Sequence, residues 1–370
     1  MGIAMMHIVF RADASVSLGT GHVMRCLVLA DMLSHQNIRL HFISRSMPNP
    51  LRELLKSKNI SLYLTGDEIE FDWQSDAELF INYVGNIPEK PILIVDHYCL
   101  DSKWEKAVRP YVNKIIIIDD LANRMHDCDY LLDQNYYRNA QNRYSELVPN
   151  HAKLWLGPAY SLLREQFREE SQYASIRNSI QRVLVTYGGS DPTGETEKVL
   201  LAAQNGCFAH VKFDIVVGGS YSEPDKIRII CEKMHNVNYH FNVTNMAKLM
   251  VQADVALGAG GSTQWERCRL GLPTILTVVA DNQRECAEEL HKAGVVKNLG
   301  WHENVTPDKI KLAFLDLMKS SELLRSMSKS SFNIACTNQP DNVHPLVKEI
   351  QKLCSSKKGW KHHFNKRGEL

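Results

Sequence analysis

Ala253-Asp254-Val255-Ala256-Leu257, followed by Gly260-Gly261-Ser262-Thr263-Gln264-Trp265-Glu266, decides how this chain is read. The apolar run predicts a buried strand. Gln264 to Leu270 predicts a helix that stops at Gly271. A strand, a turn of small residues and a helix start make an anion site, because the first N–H groups lack intrahelical partners and the dipole is positive there. Glu266 stands one turn inside that helix, where a carboxylate suits a sugar's hydroxyl pair. Phosphate plus ribose is the ligand this pattern implies.

Working outward, the second half repeats the strand–helix scheme. Arg182–Tyr187, Lys212–Val217, Val237–Phe241, Asp254–Leu257 and Pro273–Val278 are predicted strands. In the first half the strands are His7–Asp13, Arg39–Arg45, Asn59–Leu64, Pro91–His97, Lys114–Asp119 and Tyr130–Asp133. Runs such as Ile92-Leu93-Ile94-Val95 and Ile115-Ile116-Ile117-Ile118 are apolar on both faces, as in central strands of a parallel sheet covered by helices. Val23, Leu27, Ala30 and Leu33 line one face of an amphipathic helix after the first strand. The expected fold class is therefore α/β, with two Rossmann-like doubly wound domains facing each other across a cleft. The polar, helix-compatible stretch Arg164 to Ser179 marks the boundary. The expected division is 1–165, 180–345, and a C-terminal helix with a basic tail over 346–370.

The chain has 370 residues, enough for two cores, with 44% hydrophobic and 23% charged residues. Lys and Arg number 43 against 42 Asp and Glu, a net charge of +1 that gives no electrostatic case for nucleic acid or an anionic membrane. No stretch reaches the length of a membrane span. The nine cysteines form no C-x-x-C pair and have no histidines at zinc spacing, which suggests reduced thiols in the cytoplasm. Met1 to Phe10 lacks the features of a signal peptide. In the tail, Lys357–Arg367 mixes basic residues with Trp360 and Phe364 and reads as a frayed terminus.

Further candidates sit at predicted strand ends. The first strand runs into Arg11-Ala12-Asp13-Ala14-Ser15, then Leu18-Gly19-Thr20-Gly21-His22-Val23-Met24-Arg25. His22 opens the first helix, whose dipole disfavours imidazolium and so suits a neutral general base. The alternative is a histidine that only packs the turn. A dinucleotide fingerprint fails here, since G-x-G-x-x-G needs glycine where Met24 stands. Asp96-His97-Tyr98 ends another strand. Tyr187-Gly188-Gly189-Ser190-Asp191-Pro192 allows close approach of a phosphate or of another backbone, or is simply a tight turn before a helix. Asp281-Asn282-Gln283 offers amides to sugar hydroxyls, or a helix N-cap.

Taken together, these segments resemble one family. They are Arg11–Ser15 with Gly19–Leu27, Tyr187–Pro192, Gly258–Cys268, Gly271-Leu272-Pro273 and Asp281–Gln283. The family is the UDP-2,4-diacetamido-2,4,6-trideoxy-β-L-altropyranose hydrolases of pseudaminic acid biosynthesis, itself similar to glycosyltransferases of the two-Rossmann-domain GT-B type. The resemblance implies that His22 is the catalytic base and that UDP lies in the second domain. Gly260, Gly261, Ser262 and Thr263 would hold the pyrophosphate and Glu266 the ribose. Tyr98 and Asn282 would face the sugar, with Asp13, Gly21, Arg25, Gly188 and Gly189 also at the substrate. Asn338 to Val343 departs from the family's glycine-bearing stretch, which bears on how the last helix packs. The expected partners are a UDP-sugar and water, with no cofactor and no metal. UDP leaves readily, so one base for water suffices and the anomeric centre inverts. The rivals are a glycosyltransferase using the same nucleotide site, and a non-catalytic nucleotide-sugar sensor.

Overall fold

Successive side chains of Ile92-Leu93-Ile94-Val95 point to opposite faces of a strand, and both sets are buried. Ile92 and Ile94 join one apolar cluster with Ile8, Phe10 and Phe42, while Leu93 and Val95 join another with Val9, Ile43 and Trp104. Such a strand needs cover on both sides, and its sheet supplies it. In the computed structural model, which describes residues 5–15, 19–34, 37–66, 71–204, 206–335 and 343–356, the chain divides into two compact units. The first comprises Met1–Gln134, Asn139–Leu162 and Thr337–Leu370, the second Asn135–Arg138 and Leu163–Cys336.

The first unit holds strands β1 (Met6–Ala12), β2 (Ile38–Ser44), β3 (Ser61–Leu64), β4 (Ile92–Asp96), β5 (Lys114–Ile118), β6 (Tyr130–Asp133) and β7 (Lys153–Leu156). All pair in parallel, in the order β3-β2-β1-β4-β5-β6-β7. The second unit holds β8 (Arg182–Thr186), β9 (Lys212–Val217), β10 (Val237–Phe241), β11 (Val255–Ala259), β12 (Thr274–Val278) and β13 (Val296–Trp301). Its order is β10-β9-β8-β11-β12-β13, again all parallel. Each unit is thus a doubly wound α/β sheet. Strand order reverses between β1 and β4 in one unit and between β8 and β11 in the other. Ligands of such folds bind at the carboxyl ends of the strands flanking that switch.

Three features depart from the sequence reading. The edge strands β7 and β13 were not foreseen, since Lys153–Leu156 is short and Val296–Trp301 carries Lys297, Asn298 and Gly300. Of Arg164–Ser179, only Glu165–Glu170 is α-helical. Beyond it Arg177 is buried and donates to the carbonyls of Met250, Val251, Ala253 and Leu270, at the C-terminal ends of two helices. Lastly, the helix Pro345–Ser356, set apart in the sequence reading, packs Leu346, Val347 and Ile350 into the first unit's core beside the helix Gly21–Leu33. Lys357–Arg367 and Asn338–Asn342 lie outside the described residues. Among the described residues no helix is long and apolar enough to cross a membrane.

Gly271, which ends the glycine-loop helix, has φ +59, and a Cβ there would fall on the Phe332 ring. Both terms act against any side chain. Gly271→Ala should therefore cost about 2–4 kcal/mol of stability, read as a lower urea midpoint at unchanged slope. A midpoint equal to wild type would show that Phe332 yields freely.

Candidate functional site

In the first unit the helix Gly21–Leu33 starts directly after the β1 loop, and no side chain caps its first turn. His22 and Arg25 are three residues apart and so share a face. That face meets Asp96, the last residue of β4. His22 Nδ1 lies 2.6 Å from Asp96 Oδ1. Arg25 grips the same carboxylate with two bonds, Nε to Oδ2 at 2.8 Å and Nη2 to Oδ1 at 2.7 Å. Its Nη1 reaches Asp120 Oδ2 at 3.2 Å, and the Tyr98 hydroxyl donates to Asp120 Oδ1 at 2.9 Å. The Tyr98 ring stands edge-on to His22, with centroids 4.5 Å apart.

Burial pushes the Asp96 carboxyl upward, but Arg25 and His22 outweigh it and hold Asp96 below the ordinary carboxylate range. An ionised carboxylate only accepts, so His22 donates from Nδ1, and the neutral form of the ring then has its lone pair on Nε2. The side chain is 11% exposed. Burial, then Asp120, raise the Tyr98 hydroxyl far above its usual value, so it remains a donor. This arrangement can take a proton from water at Nε2 and stabilise the resulting imidazolium at Nδ1.

Asp13 has a different environment. Arg11 donates to it at 2.5 Å, the Arg45 N–H at 2.8 Å and His97 Nε2 at 2.9 Å. Burial is again opposed, by His97 and Arg11, and the carboxyl is held below its usual range. His97 accepts the Cys99 N–H on Nδ1, and burial favours its neutral form. With these donors around it, Asp13 pins the ends of β1, β2 and β4 together and is poorly placed to act as a nucleophile. Arg25 likewise serves Asp96 and Asp120, although the sequence reading set both Asp13 and Arg25 at the substrate. Gly21 is exposed at the helix start.

In the second unit the loop after β11 carries Gly260, Gly261, Ser262 and Thr263 into the helix Thr263–Arg269. The N–H groups of Gly261, Ser262 and Thr263 meet no acceptor among the described residues. Gly260 N–H donates to Gln283 Oε1 at 3.3 Å, which also receives Val279 N–H at 3.2 Å. Gln283 thereby ties the β11 and β12 loops, and Asn282 beside it is half-buried in the turn Asp281–Gln283. Glu266 is buried and accepts both Arg164 Nε at 2.8 Å and Nη2 at 3.0 Å. The sequence reading missed Arg164, whose guanidinium also covers the Phe167 ring. The backbone of Gly188 and Gly189 lies against Gly218, where a Cβ would collide with it. Asp191 caps the helix Glu195–Ala203 through the N–H groups of Glu195 and Thr196. Among the described residues no group of three or more His, Cys, Asp or Glu is arranged to hold a metal ion.

Residues 183–342 match the glycosyltransferase family 28 C-terminal domain. The chain is 26% identical over 295 residues to the UDP-2,4-diacetamido-2,4,6-trideoxy-beta-L-altropyranose hydrolase of Campylobacter jejuni, covering 78% of this chain and 97% of that one. It is also 26% identical over 302 residues to an uncharacterized protein of Methanocaldococcus jannaschii, of whose length it spans 58%, again with 78% of this chain covered. In fold it is similar to Acinetobacter baumannii MurG, with a TM-score of 0.65 at 17% identity over 94% of this chain and 99% of that one. The chain thus has the two-Rossmann GT-B fold, matches the glycosyltransferase family 28 C-terminal domain over residues 183–342, and resembles the UDP-diacetamido-trideoxy-altropyranose hydrolases over most of its length.

Proposed function

We propose that this protein hydrolyses a UDP-linked 2,4-diacetamido-2,4,6-trideoxyhexose to free sugar and UDP, in the biosynthesis of pseudaminic acid or a similar sugar. The observation that carries this reading is the His22–Asp96 pair, a single histidine held by a carboxylate at Nδ1 with no hydrogen-bond partner for Nε2 among the described residues. UDP is a good leaving group and needs little protonation, so one base suffices where glycosidases use two carboxylates. The nucleotide is assigned to the second unit. There the N–H groups of Gly261, Ser262 and Thr263 meet the diphosphate and the charge developing on it. Glu266, steadied by Arg164, takes the ribose. The resemblance to the Campylobacter jejuni hydrolase supports the substrate class.

Running the reaction in ¹⁸O-labelled water tests this directly. The label should appear on the free sugar and not on UDP, and the first anomer seen by NMR should have inverted configuration. Label on UDP would mean attack at phosphorus. Retention would require a carboxylate nucleophile, for which the engaged Asp13 is poorly suited. The second reading, a glycosyltransferase, is favoured by the family 28 domain. It predicts no sugar release until an alcohol acceptor is added.

A further inference from the structure

Arg267 lies in the helix Thr263–Arg269, fully buried, and no carboxylate among the described residues pairs with it. Its Nη2 donates to the Ala259 carbonyl and, at 2.8 Å, to Gln264 Oε1. Nε and Nη1 meet no acceptor among the described residues. The neighbouring acids bond elsewhere, Glu266 with Arg164, Asp191 with helix N–H groups and Glu195 with Lys198, and the Glu266 charge offsets the burial of Arg267 only in part. Burial lowers the guanidinium to about 10, which leaves it charged at neutral pH. A buried cation without a counter-ion is costly, and folds ordinarily avoid it.

The backbone makes room for this charge. Gly258 has no Cβ, and a methyl group there would strike Arg267 Nη1 and lie 2.6 Å from the Thr186 carbonyl. The peptide joining Ala259 to Gly260 is held at both ends, its carbonyl by Arg267 and its N–H by Gln283. The guanidinium therefore sits directly behind the loop Gly260-Gly261-Ser262, at the carboxyl ends of β8 and β11.

We propose that Arg267 is a positioning residue whose uncompensated charge is balanced by the diphosphate of the bound nucleotide, so that the ligand supplies the missing counter-ion from the far side of the loop. This deepens the nucleotide assignment above and rests on it. Arg267 touches no ligand in this scheme; it acts through the field and through the fixed Ala259–Gly260 peptide.

Calorimetric titration of wild type and Arg267→Met with uridine, UMP and UDP tests the proposal. The variant should bind UDP roughly tenfold or more weakly, the scale of a unit charge at short range in a partly screened site. Uridine affinity should change by less than about twofold, so the preference for UDP over uridine narrows. Its ligand-free Tm should be unchanged or higher, because an unpaired buried charge has gone. Arg267→Lys keeps the charge without the fork and should keep the preference to within about threefold. An equal loss for all three ligands, or an unchanged preference in Arg267→Met, overturns the proposal. So does the same narrowing in the lysine variant, which is decisive if Arg267→Met does not fold. Wild type that fails to bind UDP would instead sink the nucleotide assignment itself.

Discussion

Replacing His22 by Ala should lower turnover by about 10²–10⁴-fold, the usual contribution of a positioned general base. UDP affinity should be preserved, because the proposed nucleotide contacts come from Gly261, Ser262, Thr263 and Glu266 in the other unit. Among the described residues the ring's one hydrogen bond is to Asp96 through Nδ1, beside its edge-on contact with Tyr98, and it contributes no capping bond to its helix. The thermal midpoint should therefore move little, and lost activity could not be ascribed to unfolding. Turnover near wild type would remove His22 from the chemistry and favour a nucleotide-sugar sensor.

Much of the fold was legible because its central strands are continuous apolar runs. Ile92–Val95 and Ile115–Ile118 leave no polar face, as central strands of a parallel sheet covered on both sides require. The edge strands carried no comparable signal: Val296–Trp301 alternates weakly and stays half-exposed along most of its length. The glycine loop was legible for a local reason, since its strand, turn and helix are consecutive in the chain. Long-range partners were not. His22 and Asp96 are 74 residues apart, and their meeting depends on the β1–β4 pairing that sets Ala12 beside Asp96. Arg164 and Glu266 are separated by 102 residues. Arg25 was set at the substrate by the resemblance alone, and nothing local in the sequence shows that Asp96 and Asp120 both pair with its guanidinium.

That arrangement makes Asp96 the second decisive position. Asp96→Asn should lower turnover by roughly 10²–10⁴-fold, the scale expected when a base is held in the wrong tautomer. An amide can donate to Nδ1, which would drive the ring proton to Nε2 and remove the lone pair that meets water. Nitrogen NMR of the His22 ring should show this exchange, and Asp96→Glu should restore the Nδ1–H form at least in part. The same substitution removes a charge from buried Arg25, so stability should fall as well. Its pH dependence has a fixed sign. Because Asp96 is held below its unfolded value, its contribution is present above about pH 4 and is lost as pH falls through the native titration. The stability gap between wild type and Asp96→Asn should therefore be widest near neutrality and close on acidification. A gap that stays constant from pH 7 to pH 3 would mean the Arg25–Asp96 pair adds no net electrostatic stabilisation. An unchanged tautomer with reduced turnover would mean Asp96 acts on His22 through its charge rather than by fixing which nitrogen holds the proton.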